Sequence, residues 1–268
     1  MSFSIAGKTA IVTGAANGVG LAIARHFAEH GANVMFTDMD EARLVKEVGE
    51  AGEGEHVRYF AGDLREKLTI ANLLSATIDA FDRVDILVNA ARQVMVSDPL
   101  NADDDAVETL LQQNLLSALR LSQLIAKRMI CQAERDGSEE GPVGSIINLS
   151  SIAAHRSSAG MMAYSVSTAA LDHMTRSLAL ALAPHRIRIN AVALGSVMSA
   201  SLKETLKAHP AYRDDILEHT PLGRIGEASE VAEAVQFLAS DGAAFMTGEI
   251  LTVDGGRSLL DAVAAPTH

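Results

Sequence analysis

The sequence is poor in the residues that mark several classes of protein. It has one cysteine, Cys131, no tryptophan and six prolines in 268 residues, and only 4% of its residues are aromatic. A single cysteine cannot close an intramolecular disulfide. The sequence shows no apolar run of membrane-spanning length, and its first eight residues lack the apolar core of a signal peptide. We therefore expect a reducing, cytoplasmic setting.

Positive charge is also scarce. The sequence has 22 Lys and Arg against 34 Asp and Glu, which gives a formal net charge of -12 at pH 7, and no basic cluster offsets it locally. Such a chain repels phosphate backbones and anionic lipid, so nucleic acid and membrane partners are disfavoured. Its nine histidines show no metal-ligand spacing, so no metal site is predicted. A small-molecule partner is the expectation that remains.

Short β-branched runs alternate with longer helical patterns in a chain that is 48% hydrophobic. This alternation predicts one α/β domain over residues 1–268, a doubly wound, Rossmann-type fold with a seven-stranded parallel sheet flanked by helices. The predicted strands are 9–13, 33–37, 57–60, 85–88, 145–149, 188–192 and 250–253. The predicted helices are 19–29, 41–50, 67–80, 105–133, 162–182 and 229–239.

Two segments interrupt the alternation. Residues 134–143 are charged and contain two glycines and a proline, so we predict a surface loop. Residues 196–222 form a much longer connection of mixed polar and apolar residues. Connections of that length are often binding loops, so we predict that 196–222 is a substrate-binding loop or lid.

A glycine-rich turn follows the first predicted strand. Residues 13–20 read Thr-Gly-Ala-Ala-Asn-Gly-Val-Gly, and a helix is predicted directly afterwards. Glycines let the backbone approach a pyrophosphate, while the helix directs its unpaired N–H groups at the anion. A tight turn with no ligand would use the same residues, but the position between strand and helix favours a phosphate site.

Asp38 ends the second predicted strand, eighteen residues after Gly20. A carboxylate at this place accepts both ribose hydroxyls of an adenosine and repels the 2'-phosphate of NADP. NAD(H) is therefore the expected cofactor. The alternative is that Asp38 caps the helix beginning near Glu41, a role that Asp40 would serve equally well.

Further motifs occur at set spacings: Asp63-Leu64, Asn114 in Gln-Asn-Leu-Leu, Ser151 thirteen residues before Tyr164, and Val-Asp-Gly-Gly at 253–256. With the glycine turn and Asp38, these motifs make the chain resemble the short-chain dehydrogenase/reductase family over nearly its whole length. The resemblance implies an oxidoreductase that is a homo-oligomer, a tetramer or dimer. It implies cofactor contacts at Gly14, Asn17, Gly18, Val19, Gly20, Asp38, Asp63, Leu64, Asn89, Tyr164 and Val197.

The resemblance also implies catalytic roles. In that family the tyrosine, here Tyr164, is the general acid or base, and the serine, here Ser151, holds the substrate oxygen. The asparagine, here Asn114, helps to anchor a water-linked proton path. A lysine four residues after the tyrosine binds the nicotinamide ribose and stabilises the phenolate; here that position is Thr168.

Thr168 is the departure from the family's pattern that affects the chemistry, because it removes a positive charge beside the tyrosine. A cation about 4 Å from a phenolate contributes at most about 4 kcal/mol at an effective dielectric of about 20. Without it, alcohol oxidation should suffer more than carbonyl reduction, because oxidation uses the phenolate. Thr168 retains one hydroxyl to offer the ribose. Arg92 replaces the glycine of the family's Asn-Asn-Ala-Gly motif after strand four, and we hypothesise that it restores the positive charge, unless it points to solvent.

The leading interpretation is an NAD(H)-dependent oxidoreductase of secondary alcohols or ketones. The alternative is an NAD(H)-binding protein of this kind with little or no turnover, because the lysine is missing. Non-redox chemistry, as in dehalogenases similar to this family, is disfavoured because those proteins replace the glycine turn.

Overall fold

A computed structural model describes residues 3–50 and 56–261. Seven strands form one parallel sheet in the order β3-β2-β1-β4-β5-β6-β7, which confirms the predicted doubly wound fold. The strands are β1 (Thr9–Thr13), β2 (Asn33–Asp38), β3 (Val57–Ala61), β4 (Ile86–Asn89), β5 (Gly144–Ser151), β6 (Ile187–Leu194) and β7 (Ile250–Val253).

Helices connect the strands and cover both faces of the sheet. They are α1 (Gly18–Glu29), α2 (Glu41–Glu50), α3 (Lys67–Phe81), α4 (Ala106–Leu110), α5 (Ser117–Arg135), α6 (Met162–Leu182), α7 (Ala200–Ala208), α8 (Tyr212–Glu218) and α9 (Ala228–Ala239). A π-helical turn, Leu111–Leu116, joins α4 to α5.

Two apolar cores hold the layers together. On one face α1 and α9 pack on the sheet through residues such as Phe27 and Val235. On the other face α3 and α5 pack on it through residues such as Leu73 and Ile125. Each fully buried side chain of this size contributes roughly 1.5–3 kcal/mol relative to exposure. Because both faces are covered, β1 is buried at every position, which explains why its sequence has no alternation of apolar and charged residues.

The structure corrects two predicted segments. The helix predicted at 105–133 is divided by the π-helical turn, and the loop predicted at 196–222 contains α7 and α8. Periodicity did not show the π turn, because one extra residue in a turn leaves the apolar pattern on either side intact. The predicted surface loop begins only after Arg135.

The topology places a crevice at the carboxyl ends of β1 and β4. These adjacent strands lie where the strand order reverses direction, with β2 and β3 on one side and β5, β6 and β7 on the other. Open parallel sheets bind ligands at such a switch point. Within the described ranges, no helix is long and apolar enough to span a bilayer.

Candidate active site

A groove of about 470 Å³ lies at this switch point. The glycine turn, the end of β2 and the segment after β4 line it. Eight of the predicted cofactor contacts are among its lining residues: Gly14, Asn17, Gly18, Val19, Gly20, Asp38, Asp63 and Leu64. The structure therefore brings together residues that the sequence distributes over 51 positions from 14 to 64.

Two glycines of the turn have no room for a side chain. A Cβ on Gly14, whose φ is +68°, would lie 2.9 Å from the Ala90 carbonyl oxygen. A Cβ on Gly20 would lie 2.2 Å from the Gly14 carbonyl oxygen. Asn17 precedes α1 and makes no side-chain capping hydrogen bond, so it does not occupy the first N–H groups of that helix. The turn thus has the close packing and the open helix end that suit a pyrophosphate.

Asp38 lies on the groove and is held there by backbone hydrogen bonds. Its Oδ2 accepts from the Ala16 N–H at 3.1 Å, and its Oδ1 accepts from the Asp40 N–H at 3.1 Å. The capping role falls to Asp40, whose Oδ1 accepts from the Arg43 N–H in the first turn of α2. Asp40, and not Asp38, therefore caps α2.

Asp63 is ion-paired beside the groove. Arg65 Nη2 lies 2.5 Å from its Oδ2, and the hydrogen bonds from this guanidinium hold the pKa of Asp63 below its usual value, against a smaller opposing effect of burial. Asp63 therefore faces the groove as a paired carboxylate.

Three other predicted cofactor contacts do not line this groove; they are Asn89, Tyr164 and Val197. Asn89 is buried beneath it, and its amide donates to Ser122 Oγ at 3.0 Å and to Asn148 Oδ1 at 2.8 Å. Val197 forms an isolated β-bridge with Gly226 and lines a separate, smaller cavity of about 100 Å³.

A second cavity of about 550 Å³ contains the predicted catalytic pair. Ser151 ends β5, and its Oγ accepts from the Ala153 N–H at 3.1 Å and lies 3.5 Å from the Leu194 carbonyl oxygen. Tyr164 lies in the first turn of α6 and is 4% exposed. Both residues line this one cavity.

Arg92 reaches the tyrosine. Its Nη1 donates to the Tyr164 hydroxyl at 2.9 Å and lies 3.2 Å from the Ser150 carbonyl oxygen. Arg92 lines the groove and Tyr164 lines the second cavity, so this hydrogen bond lies where the two meet. The hypothesis that Arg92 points inward agrees with the geometry, and the solvent-facing alternative does not.

Thr168 does not face the groove. It is 2% exposed, and its Oγ1 donates to the carbonyl oxygens of Tyr164 at 3.0 Å and Ser165 at 3.1 Å. Its single hydroxyl proton is engaged with its own helix, so the expected hydrogen bond to a ribose has no free donor.

Asn114 lies in the π-helical turn and pairs with the segment after β4. Its Oδ1 accepts from the Gln93 N–H at 2.8 Å, and its Nδ2 donates to the Gln93 carbonyl oxygen at 2.9 Å and to Ser167 Oγ at 3.2 Å. Asn114 therefore fixes the backbone of the residue next to Arg92 and links it to α6.

Known proteins are similar to this chain over most of its length. Residues 14–258 match the protein family described as Enoyl-(Acyl carrier protein) reductase. 7alpha-hydroxysteroid dehydrogenase of Escherichia coli is 33% identical over 251 residues, which cover 93% of this chain and 94% of that protein. The chain belongs to the short-chain dehydrogenase/reductase family. Galactitol 2-dehydrogenase (L-tagatose-forming) of Cereibacter sphaeroides is 34% identical over 260 residues, or 96% and 97% of the two chains.

Solved structures of short-chain dehydrogenases/reductases have the same fold. A 7 alpha-hydroxysteroid dehydrogenase complexed with NADH and 7-oxo glycochenodeoxycholic acid has a TM-score of 0.87 and 31% identity, covering 95% of this chain and 96% of that chain. Another from Mycobacterium marinum, described as a short-chain type dehydrogenase/reductase, has a TM-score of 0.83 and 28% identity and covers 95% and 96%. We accordingly place this chain among the oxidoreductases of the family.

One buried acid near the site was not found from the sequence. Asp172 lies two turns after Tyr164 on α6 and is 1% exposed, and neither carboxylate oxygen makes a hydrogen bond of normal geometry within the described residues. Burial raises its pKa, opposed by the nearby Ser150 hydroxyl and the charges of His155 and Arg176. His155 Nε2 lies 3.5 Å from its Oδ2. His155 thus contacts α6 from the loop that connects Ser151 to Tyr164.

Proposed function

We propose that this chain transfers a hydride between NAD(H) and a secondary alcohol or ketone, with Arg92 replacing the family's lysine as the cation beside the tyrosine. The hydrogen bond from Arg92 Nη1 to the Tyr164 hydroxyl is the observation that carries the proposal. A permanent cation at the tyrosine hydroxyl stabilises the phenolate that forms during proton transfer. The neutral hydroxyl of Thr168 alone would not supply that stabilisation.

The residues of the groove fit a dinucleotide. Gly14 and Gly20 leave no space for a Cβ and form the tight turn that a pyrophosphate requires. Asp38 lies at the end of β2, where its carboxylate would accept the adenosine ribose hydroxyls and repel a 2'-phosphate. This acid supports NAD(H) over NADP(H). When bound, the nicotinamide supplies or accepts the hydride.

Tyr164 and Ser151 handle the substrate oxygen. In reduction the Tyr164 phenol donates its proton to the carbonyl oxygen as that oxygen becomes an alkoxide, and in oxidation the phenolate takes the alcohol proton. The Ser151 hydroxyl donates a hydrogen bond to the same oxygen and so stabilises the developing charge. Both groups line one cavity, which meets the groove at Arg92.

Arg92 stabilises the phenolate electrostatically but cannot exchange its proton at neutral pH. A unit charge about 3 Å from a phenolate contributes at most about 5 kcal/mol at an effective dielectric of about 20. Because the guanidinium keeps its proton, the proton path from Tyr164 to water cannot pass through it as a donor and acceptor. Asn114, the family's anchor for a water-linked path, is in this chain also the residue that positions the segment containing Arg92.

The remaining features of the proposal follow from the family. We propose a single catalytic domain over residues 1–268, a homotetramer or homodimer, in the cytoplasm. Residues 196–222 are proposed to close over the substrate, and Asp215 and His219 of this segment already line the second cavity.

The proposal is tested by NADH binding followed by turnover. We expect NADH fluorescence to change on titration with the protein, and nicotinamide absorbance to fall when secondary ketones are added. Tight NADH binding with no loss of absorbance across a broad ketone panel would instead favour the alternative, a cofactor-binding protein without turnover.

A further inference from the structure

The second cavity contains two arginines besides the reacting groups. Arg156 lies in the loop after Ser151, and Arg257 follows β7, so two distant parts of the chain bring guanidinium groups to one cavity. Among the ion pairs of the described residues, neither has a carboxylate partner within 4.0 Å. Two such cations in one cavity stand out in a chain with a formal net charge of -12.

Both guanidinium groups donate to neutral acceptors. Arg156 Nη2 donates to the Ser258 carbonyl oxygen, and Arg257 Nη1 donates to Ser196 Oγ at 2.6 Å. A guanidinium has five N–H donors, so most donors of each group make no hydrogen bond to the described residues. The first of these contacts also holds Arg156 against the segment that carries Arg257, because Ser258 is adjacent to Arg257.

The acidic residues nearby are engaged in other contacts. Asp215 Oδ1 lies 3.2 Å from His219 Nδ1, one turn further along the chain. Asp254 does not line this cavity; its two oxygens accept from the Gly256 N–H at 2.9 Å and the Ser258 N–H at 2.6 Å. Asp261 is an exposed lining residue. Neither arginine is therefore paired directly with Asp215 or Asp254, although Arg257 interacts electrostatically with Asp254.

We infer that this cavity takes a carboxylate-bearing substrate, an oxo acid in reduction or a hydroxy acid in oxidation, with Arg156 and Arg257 binding the carboxylate. The inference rests on the proposed function, because Ser151 and Tyr164 must hold the other end of the same molecule. A carboxylate forms charge-assisted hydrogen bonds about twice as strong as those to neutral acceptors, and guanidinium matches its geometry. The volume, about 550 Å³, is that of a small-molecule site.

Matched acids and amides test the inference. The probes are methyl-ketone acids of increasing chain length, beginning with levulinate, each paired with its amide. Their binding is measured by calorimetry on the enzyme with NAD+, which cannot reduce a ketone. We expect at least one acid to bind roughly tenfold or more tightly than its amide. Arg156→Gln and Arg257→Gln should each weaken binding of the acid more than binding of its amide, and so reduce that preference.

Arg213→Gln is the matched control. It removes the same charge from α8 without altering a residue that lines the cavity, so the acid preference should persist. Equal binding of every acid and its amide, or an acid preference that survives Arg156→Gln in a protein with an unchanged melting temperature, would overturn the inference. A phosphonate that binds more tightly than the matched carboxylate would overturn the carboxylate assignment.

Turnover separates this inference from the proposed function. If neutral ketones are reduced but acids have no advantage in binding, the carboxylate site fails and the oxidoreductase stands. If acids bind preferentially and no ketone is reduced, the proposed function fails and the carboxylate site stands.

Discussion

The Arg92 guanidinium meets the Tyr164 hydroxyl at 2.9 Å, although the two residues lie 72 positions apart on different elements. Arg92 approaches from the end of β4, whereas the family's lysine position, Thr168, is on the same helix as the tyrosine. A positive charge therefore reaches the phenol oxygen from the segment after β4 and not from α6.

Replacing Arg92 with Ala should slow alcohol oxidation more than ketone reduction. Among the described residues Arg92 is the cation that contacts the phenol, and its loss removes a stabilisation that oxidation needs, so we expect kcat for oxidation to fall by roughly 10²–10³-fold. Arg92→Lys keeps the charge but loses the planar fork, and it should retain part of the activity. Values of kcat for oxidation and for reduction, measured with saturating substrates, give the difference. Equal losses of kcat in the two directions would contradict this assignment.

Removing the Tyr164 hydroxyl should abolish most turnover and leave cofactor binding intact. Tyr164→Phe deletes the proton donor but keeps the ring that is buried with Ala106, Leu110 and Ala163. We expect kcat to fall by roughly 10²–10⁴-fold. NADH titration by fluorescence should give an unchanged dissociation constant, and a large loss of NADH binding would show that the ring, not the proton, is what matters.

Asp38 should control the choice of cofactor. Asp38→Ser removes the charge that repels a 2'-phosphate, so the ratio of NADPH to NADH dissociation constants should fall by roughly tenfold or more. Asp40→Ser is the control, because Asp40 accepts from the Arg43 N–H and lies two residues away. The control should not shift cofactor preference. If Asp38→Ser leaves the ratio unchanged, selection against NADP lies elsewhere.

Asp172 should make folding stability depend on pH. Its folded pKa is raised by burial above the usual value of 3.8, so the native state holds its proton more tightly than the unfolded state. Stability from this group is therefore lost as pH rises from about 3.8 through the raised pKa, and stays low above it. Asp172→Asn should melt at a higher temperature than the natural protein at pH 7, and the gain should shrink toward acid pH.

The companion variant tests the cause. His155 Nε2 lies 3.5 Å from Asp172 Oδ2, and removal of this partner leaves the buried carboxylate with less compensation. His155→Ala should therefore lower the melting temperature in the natural background and have little effect in the Asp172→Asn background. Melting temperatures of the four proteins, from calorimetry over a range of pH, decide the point.

Much of the fold followed from the sequence because it depends on local patterns. The buried strands contain short apolar runs, such as Ala10 to Val12 in β1, and the start of the first helix is marked by the glycine turn. The family resemblance also predicted the residues that line the groove. These features depend on residue type and spacing, which can be read directly from the sequence.

The remaining features of the candidate site depend on the direction in which each side chain points in the folded protein. The sequence placed Arg92 at the carboxyl edge of the sheet but did not decide whether its side chain points inward or to solvent. That direction is shown by its hydrogen bonds to the Tyr164 hydroxyl and the Ser150 carbonyl oxygen. Thr168 shows the same limit, because only the structure shows its hydroxyl bound to the Tyr164 carbonyl oxygen. The convergence of Arg156 and Arg257 on one cavity has no local signal at all.

The most direct test of the account is kcat for alcohol oxidation at one fixed pH, measured for Arg92→Ala and for the double variant Arg92→Ala with Thr168→Lys, using the most active alcohol of the panel. The single variant should have a much lower kcat than the natural protein, because it lacks the cation that contacts the Tyr164 hydroxyl. The double variant should recover part of that loss, since a lysine at 168 lies on the Tyr164 face of α6. A single-variant kcat equal to that of the natural protein would contradict the central claim.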